Sequence, residues 1–78
     1  MHKLRKENHY SKEVGNKLSL LRKDLKISQK ELGKRLNKPQ SYISKIELGQ
    51  RQINIIELLE YLTKLNVTLE DFIDNLSL

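Results

Sequence analysis

SQKELGKRLNKPQSYISKIELG, residues 28–49, holds two short helices and the turn between them. Its first four residues form a capping box. The Ser28 hydroxyl accepts from the otherwise unpaired amide of Glu31, whose carboxylate reaches back to Ser28. The helix that follows turns Leu32 and Leu36 to a buried side and leaves Lys30, Lys34 and Arg35 outside. Asn37 tolerates the left-handed conformation that ends a helix. Pro39 forces Lys38 out of the helical region and opens the next helix. That helix carries Ile43 and Ile46 inward and stops near Leu48-Gly49, where glycine supplies a positive φ at no steric cost.

Helical spacing continues on both sides. Val14, Leu18, Leu21 and Leu25 step by four, three and four, one face of a first helix ending near Lys26. Ser11 is its expected N-cap. Gly15 weakens that helix by about 1 kcal/mol relative to Ala, so its presence hints at close packing. Residues 1–10 are polar and basic without apolar period and read as a flexible arm. After a polar loop from Gln50 to Ile53, Asn54 caps a fourth helix with Ile55, Leu58, Leu59, Leu62 and Leu65 as its main stripe. Thr68 and Asp71 start a fifth helix bearing Leu69, Phe72, Ile73 and Leu76. No segment alternates as a strand does. The expectation is all-α: five short helices, with one domain over residues 11–78.

Seventy-eight residues leave room for one small domain. Hydrophobic residues make up 37% of the chain and charged residues 32%, so the core is modest. There is no cysteine, which excludes disulfides, Cys-ligated zinc and thiol catalysis together. No run approaches the roughly 18 apolar residues of a membrane span, so the expectation is a cytoplasmic protein without membrane contact. The net charge of +5 is unevenly spread: residues 1–51 carry fourteen Lys/Arg against five Asp/Glu, and residues 52–78 one against five. Such a basic part fits either a polyanionic partner or an ordinary solvated surface.

Two short helices joined by about three residues are the pattern of a helix-turn-helix, whose second helix enters the major groove of DNA. The same pattern occurs in structural bundles, so the second helix must carry the distinction. With Ile43 and Ile46 inward, Gln40, Ser41, Ser44 and Lys45 lie on its far side. These are donors and acceptors, with no carboxylate before Glu47 to repel phosphate. Gln can contact a purine edge twice, and Lys can donate to guanine O6 or N7.

Residues 18–65, from LSLLRKDLKISQKELGKRLNKPQSYISKIELGQRQ through the fourth helix, resemble the lambda-repressor/Cro type of helix-turn-helix domain, often called Xre-like. The matches are Ser28-Gln29-Lys30-Glu31-Leu32, the run Gln40-Ser41-Tyr42-Ile43-Ser44-Lys45-Ile46-Glu47 with Gly49, and the Leu/Ile stripe of the fourth helix. The resemblance implies five helices and a homodimer on a near-palindromic operator, acting as a repressor or autoregulator without a cofactor. It makes Gln40, Ser41 and Lys45 base-reading residues. Gln29 would bond a phosphate and buttress Gln40, Tyr42 and Ser44 would lie at the groove edge, and Arg51 would grip the backbone. Arg22 and Glu47 match a partly buried ion pair joining the first helix to the end of the third. The chain departs from the family at Lys26 and Pro39, where Gly and a Ser/Thr cap are common. Gly33 replaces a usual Ala, and Leu48 replaces an Asn that contacts phosphate.

Other residues are read more plainly. His2 and His9 belong to a solvated tail; no metal site is expected. Tyr42 is either a helix-capping contact or a groove-edge residue. Glu57 and Glu60 are helix-surface decoration, no catalytic set can be placed, and the chain is not expected to be an enzyme. The last two helices carry more apolar residues than so small a protein easily buries, Leu78 among them. They are either surface spill or a dimer patch of Tyr61, Leu65, Leu69, Phe72, Ile73 and Leu76. A second function remains open: an antitoxin or other interaction module that holds a toxin or another protein through its last two helices.

Overall fold

Local hydrogen-bonding devices set most of the helix boundaries. The computed structural model describes residues 2–74 and 76, with backbone alone for residues 2–9. The roles read for the side chains of His2 and His9, and for Leu78, lie outside the described residues. Five helices follow one another: α1 His2–Asp24, α2 Gln29–Leu36, α3 Gln40–Glu47, α4 Ile55–Leu65 and α5 Leu69–Asp74. Among the described residues there is no strand. Ser28 Oγ accepts from the Glu31 amide at 3.0 Å, Asn54 Oδ1 from the Glu57 amide at 2.8 Å, and Thr68 Oγ1 from the Asp71 amide at 3.1 Å.

Helices α1 to α4 end through a residue in the left-handed region: Lys26 (φ 59°), Asn37 (59°), Gly49 (74°) and Asn66 (58°). In each case the next amide bonds back five residues, as Lys38 does to the Gly33 carbonyl at 2.8 Å and Gln50 to Lys45 at 2.9 Å. Lys26 leaves α1 by the route a glycine would take, so that departure from the family does not alter the exit.

Three sequence expectations about the helices are corrected. Helix α1 begins at His2, not Ser11, so Ser11 lies inside the helix. Residues 2–14 contain neither Gly nor Pro, and extending a formed helix is far easier than nucleating one. Glu31 does not complete its capping box with Ser28; its Oε2 accepts instead from Arg35 Nε at 3.2 Å, one turn on. Leu25 is 47% exposed, because the α1 ladder ends there and the chain turns away.

The core is Leu18, Leu32, Ile43, Ile46, Tyr61, Leu62, Leu65 and Phe72, drawn from all five helices. Gly15 is where α1 crosses the end of α3. A Cβ there would overlap the Ile46 carbonyl oxygen and lie 2.9 Å from that of Glu47. Gly33 is equally constrained: a Cβ would sit 2.7 Å from the Lys38 carbonyl, so the usual Ala would displace this turn.

Helix α4 is rotated relative to the expected stripe. It buries Tyr61, Leu62 and Leu65, with Leu58 partly covered, and turns Ile55, Ile56 and Leu59 to solvent. The dimer patch read from sequence is corrected with it. Tyr61 (0% exposed), Leu65 and Phe72 lie inside the monomer, and Leu69 and Leu76 pack against its core. Of those six residues, Ile73 alone is fully at the surface. The rotation follows from Tyr61, whose ring fills the core and whose hydroxyl needs a buried partner.

Candidate nucleic-acid interface

That partner is Glu47, the last residue of α3. Its carboxylate accepts from Arg22 Nε at 2.7 Å and Nη2 at 2.9 Å, from Gln29 Nε2 at 3.0 Å and from the Tyr61 hydroxyl at 3.0 Å. Arg22 Nη1 donates to the Ile27 carbonyl at 2.7 Å, fixing the guanidinium against the end of its own helix. The pair is nearly enclosed, with 8% and 5% of the two side chains exposed. Burial by itself pushes the Glu47 carboxyl up. The bonds from Arg22 and Gln29, the Arg22 charge and the Tyr61 hydroxyl outweigh it, and the group titrates below its ordinary range. Burial also pushes the Tyr61 phenol well up, with the Glu47 charge adding to it. Four helices therefore meet at one carboxylate.

The cluster reaches the surface through Gln29. Because its Nε2 must donate to the Glu47 carboxylate, its Oε1 faces the other way and accepts from Gln40 Nε2 at 3.3 Å. The charged acceptor thus fixes the orientation of both amides, which side-chain shape alone leaves ambiguous. Gln40 keeps its Oε1 and one N–H for an outside partner, an acceptor and a donor side by side. That is the pair needed to meet N6 and N7 of adenine. Gln40, Ser41 and Lys45 are exposed along α3, while Tyr42 and Ser44 are half-buried at its flank. Leu48 is 59% exposed and its side chain brings no polar atom to the surface beside α3.

Arg51, expected as a loop cation, is engaged within the protein. It makes two parallel bonds to Glu57, Nη1 to Oε1 at 3.1 Å and Nη2 to Oε2 at 3.0 Å, and Nη1 also donates to the Gln52 carbonyl at 3.1 Å. Its guanidinium carbon lies 4.8 Å from the centroid of the Tyr42 ring, and Lys38 Nζ lies 5.2 Å from it. Tyr42 is thus a platform for two cations, a role distinct from either reading of the sequence. Burial raises its phenol, and the Glu57 charge raises it further.

Sequence reasoning missed Glu57 and the Tyr61 hydroxyl. The Asn54–Glu57 spacing announces a capping box, which the structure completes with Glu57 Oε1 accepting the Asn54 amide at 3.0 Å. Nothing in that spacing announces Arg51. Among the described residues no group of three His, Cys, Asp or Glu could hold a metal, and no helix is long and apolar enough to cross a membrane.

The helix-turn-helix family model matches residues 18–72, from the middle of α1 into α5. The chain belongs to that family, in its lambda-repressor-like form. Solved structures of the family share the arrangement. The clp gene regulator ClgR from Corynebacterium glutamicum superposes with a TM-score of 0.78 at 20% identity, over 82% of this chain and 68% of that one in one crystal structure. The restriction-modification controller protein C.AhdI from Aeromonas hydrophila superposes with a TM-score of 0.77 at 25% identity, over 82% of this chain and 97% of that one. No curated protein sequence matches the chain. A helix-turn-helix protein of this form is a DNA-binding transcription regulator and not an enzyme.

Proposed function

We propose that this regulator binds a near-palindromic operator in double-stranded DNA as a homodimer and represses transcription, including its own, without a cofactor and in the cytoplasm. The observation that carries the reading is the Gln40 amide, oriented through Gln29 by the buried Glu47 and exposed on α3. Gln40, Ser41 and Lys45 read bases. Gln29, Tyr42, Ser44 and Arg51 serve the backbone and the groove edge, and the basic segment 1–10 adds unspecific attraction. Selection of bound sequences from random duplex DNA tests this directly. It is expected to return two half-sites about 34 Å apart, centre to centre. Recovery of no common sequence would reject it.

The dimer reading draws support from the exposed face of α4. Ile56 (64% exposed) and Leu59 border a groove of about 490 Å³ whose other wall is Arg35, Leu36 and Asn37 at the end of α2. Glu60 and Lys64 stand beside it, and a two-fold axis passing between them would set each Glu60 against the Lys64 of the other copy. The same face supports the second reading, a toxin or other protein held by this chain as its antitoxin. The neighbouring gene separates the settings: a toxin-like reading frame favours the antitoxin, and a restriction–methylation pair favours a controller such as C.AhdI.

A further inference from the structure

Glu57 is the best-anchored carboxylate outside the Glu47 cluster. The first turn of α4 holds it, because Oε1 accepts the Asn54 amide while Asn54 Oδ1 accepts the Glu57 amide. Its two oxygens take the outer end of the Arg51 guanidinium, at 3.1 and 3.0 Å. The Gln52 carbonyl takes the other Nη1 hydrogen, and the Tyr42 ring lies against the guanidinium 4.8 Å away. A guanidinium has five N–H donors in one rigid plane. Glu57 and Gln52 use three of them. The two left, on Nε and Nη2, point the same way along one edge and have no partner among the described residues. Two parallel donors on a rigid edge are what a phosphate's two free oxygens accept.

We propose that Glu57 is a positioning residue that holds Arg51 so its Nε and Nη2 edge is presented to a phosphodiester of duplex DNA. The inference rests on the DNA-binding reading above and adds how one phosphate is gripped. Charge alone argues the opposite sign, since removing a carboxylate beside a polyanion should tighten binding. That conflict makes the test sharp.

Glu57→Gln suits it, because Gln also serves at the third position of a capping box. The full chain is titrated into a labelled mixed-sequence duplex of roughly three helical turns over a range of salt, with circular dichroism to follow the fold. Binding by Glu57→Gln is expected to weaken roughly three- to tenfold although the protein has gained positive charge. The salt slope should fall by about one, to that of Arg51→Ala. Adding Glu57→Gln to Arg51→Ala should weaken binding no further. Tighter binding or a steeper slope for folded Glu57→Gln overturns the proposal. Should Glu57→Gln unfold, Arg51→Lys decides: it keeps the charge but has no second edge, so a wild-type slope overturns the proposal and a slope like that of Arg51→Ala supports it. A wild-type chain that binds no duplex at low salt rejects the DNA-binding reading itself, a result distinct from failure of Glu57 alone.

Discussion

Neutralising Glu47 would undo more than one ion pair. Glu47→Gln leaves the Arg22 guanidinium enclosed without a countercharge, and breaking such a pair typically costs about 3–5 kcal/mol. Denaturant unfolding at neutral pH should show a loss of about 3 kcal/mol or more. The pH dependence changes with it. Glu47 titrates below its ordinary 4.5 in the folded protein, so on acidification the unfolded chain takes up the proton first. Its stabilisation is complete above the unfolded value and disappears as pH falls through the lower folded one. Glu57 acts in the same direction, held down to about 2 by Arg51 and then by the Asn54 amide. Stability measured from pH 5 downward should therefore decline less steeply in Glu47→Gln than in the wild type, and equal slopes would contradict the assignment. On the exposed side of α3, Lys45→Ala should relax base choice at one operator position by roughly 1–3 kcal/mol while other positions keep theirs. Competition with a panel of single-base operator variants reads this out.

At the scale of the element, two glycine exchanges should have opposite signs. Gly15→Ala would gain about 1 kcal/mol of helix propensity if α1 stood alone. Here the new methyl meets the carbonyls of Ile46 and Glu47 at the crossing with α3, and overpacking of that kind typically costs about 1–3 kcal/mol. The melting temperature should fall. Lys26→Gly should raise it, since a left-handed lysine carries a strain of about 1–2 kcal/mol. The gain is trimmed to roughly 0.5–1 kcal/mol by the greater freedom of an unfolded glycine. These elements also show what a sequence can and cannot convey. Asn37 and Gly49 are legible as helix ends because their bonds close within five residues. The rotation of α4 is not, because Ile55, Leu59, Tyr61 and Leu62 offer more than one apolar stripe. A contact with Glu47, fourteen residues from Tyr61 along the chain, chooses between them. Glu31 likewise had two local partners, Ser28 and Arg35, and its spacing fits both.

For the whole molecule, the exposed start of α4 sets the expectation. Ile56→Glu removes no core contact, so the folded monomer should keep its unfolding free energy within about 0.5 kcal/mol. If copies associate through that face, sedimentation equilibrium should show the variant as a monomer where the wild type is a dimer, and operator binding should weaken. An unchanged wild-type-like dimer would move the interface elsewhere, with exposed Ile73 on α5 the next surface to vary. The exposed side of α3 was legible from the sequence, since the surface positions of Gln40, Ser41 and Lys45 follow from the inward turn of Ile43 and Ile46. The engagement of Arg51 was not, because it depends on how the loop from Leu48 to Asn54 folds back on α4. A final consequence concerns anyone seeking altered sequence preference by directed evolution. The amide at the start of α3 is steered, bond by bond, from a buried tyrosine and a nearly enclosed arginine. If Gln40 reads a base as proposed, libraries confined to the visible face would overlook Arg22 and Tyr61, where a buried exchange that rotates Gln40 would favour a different base.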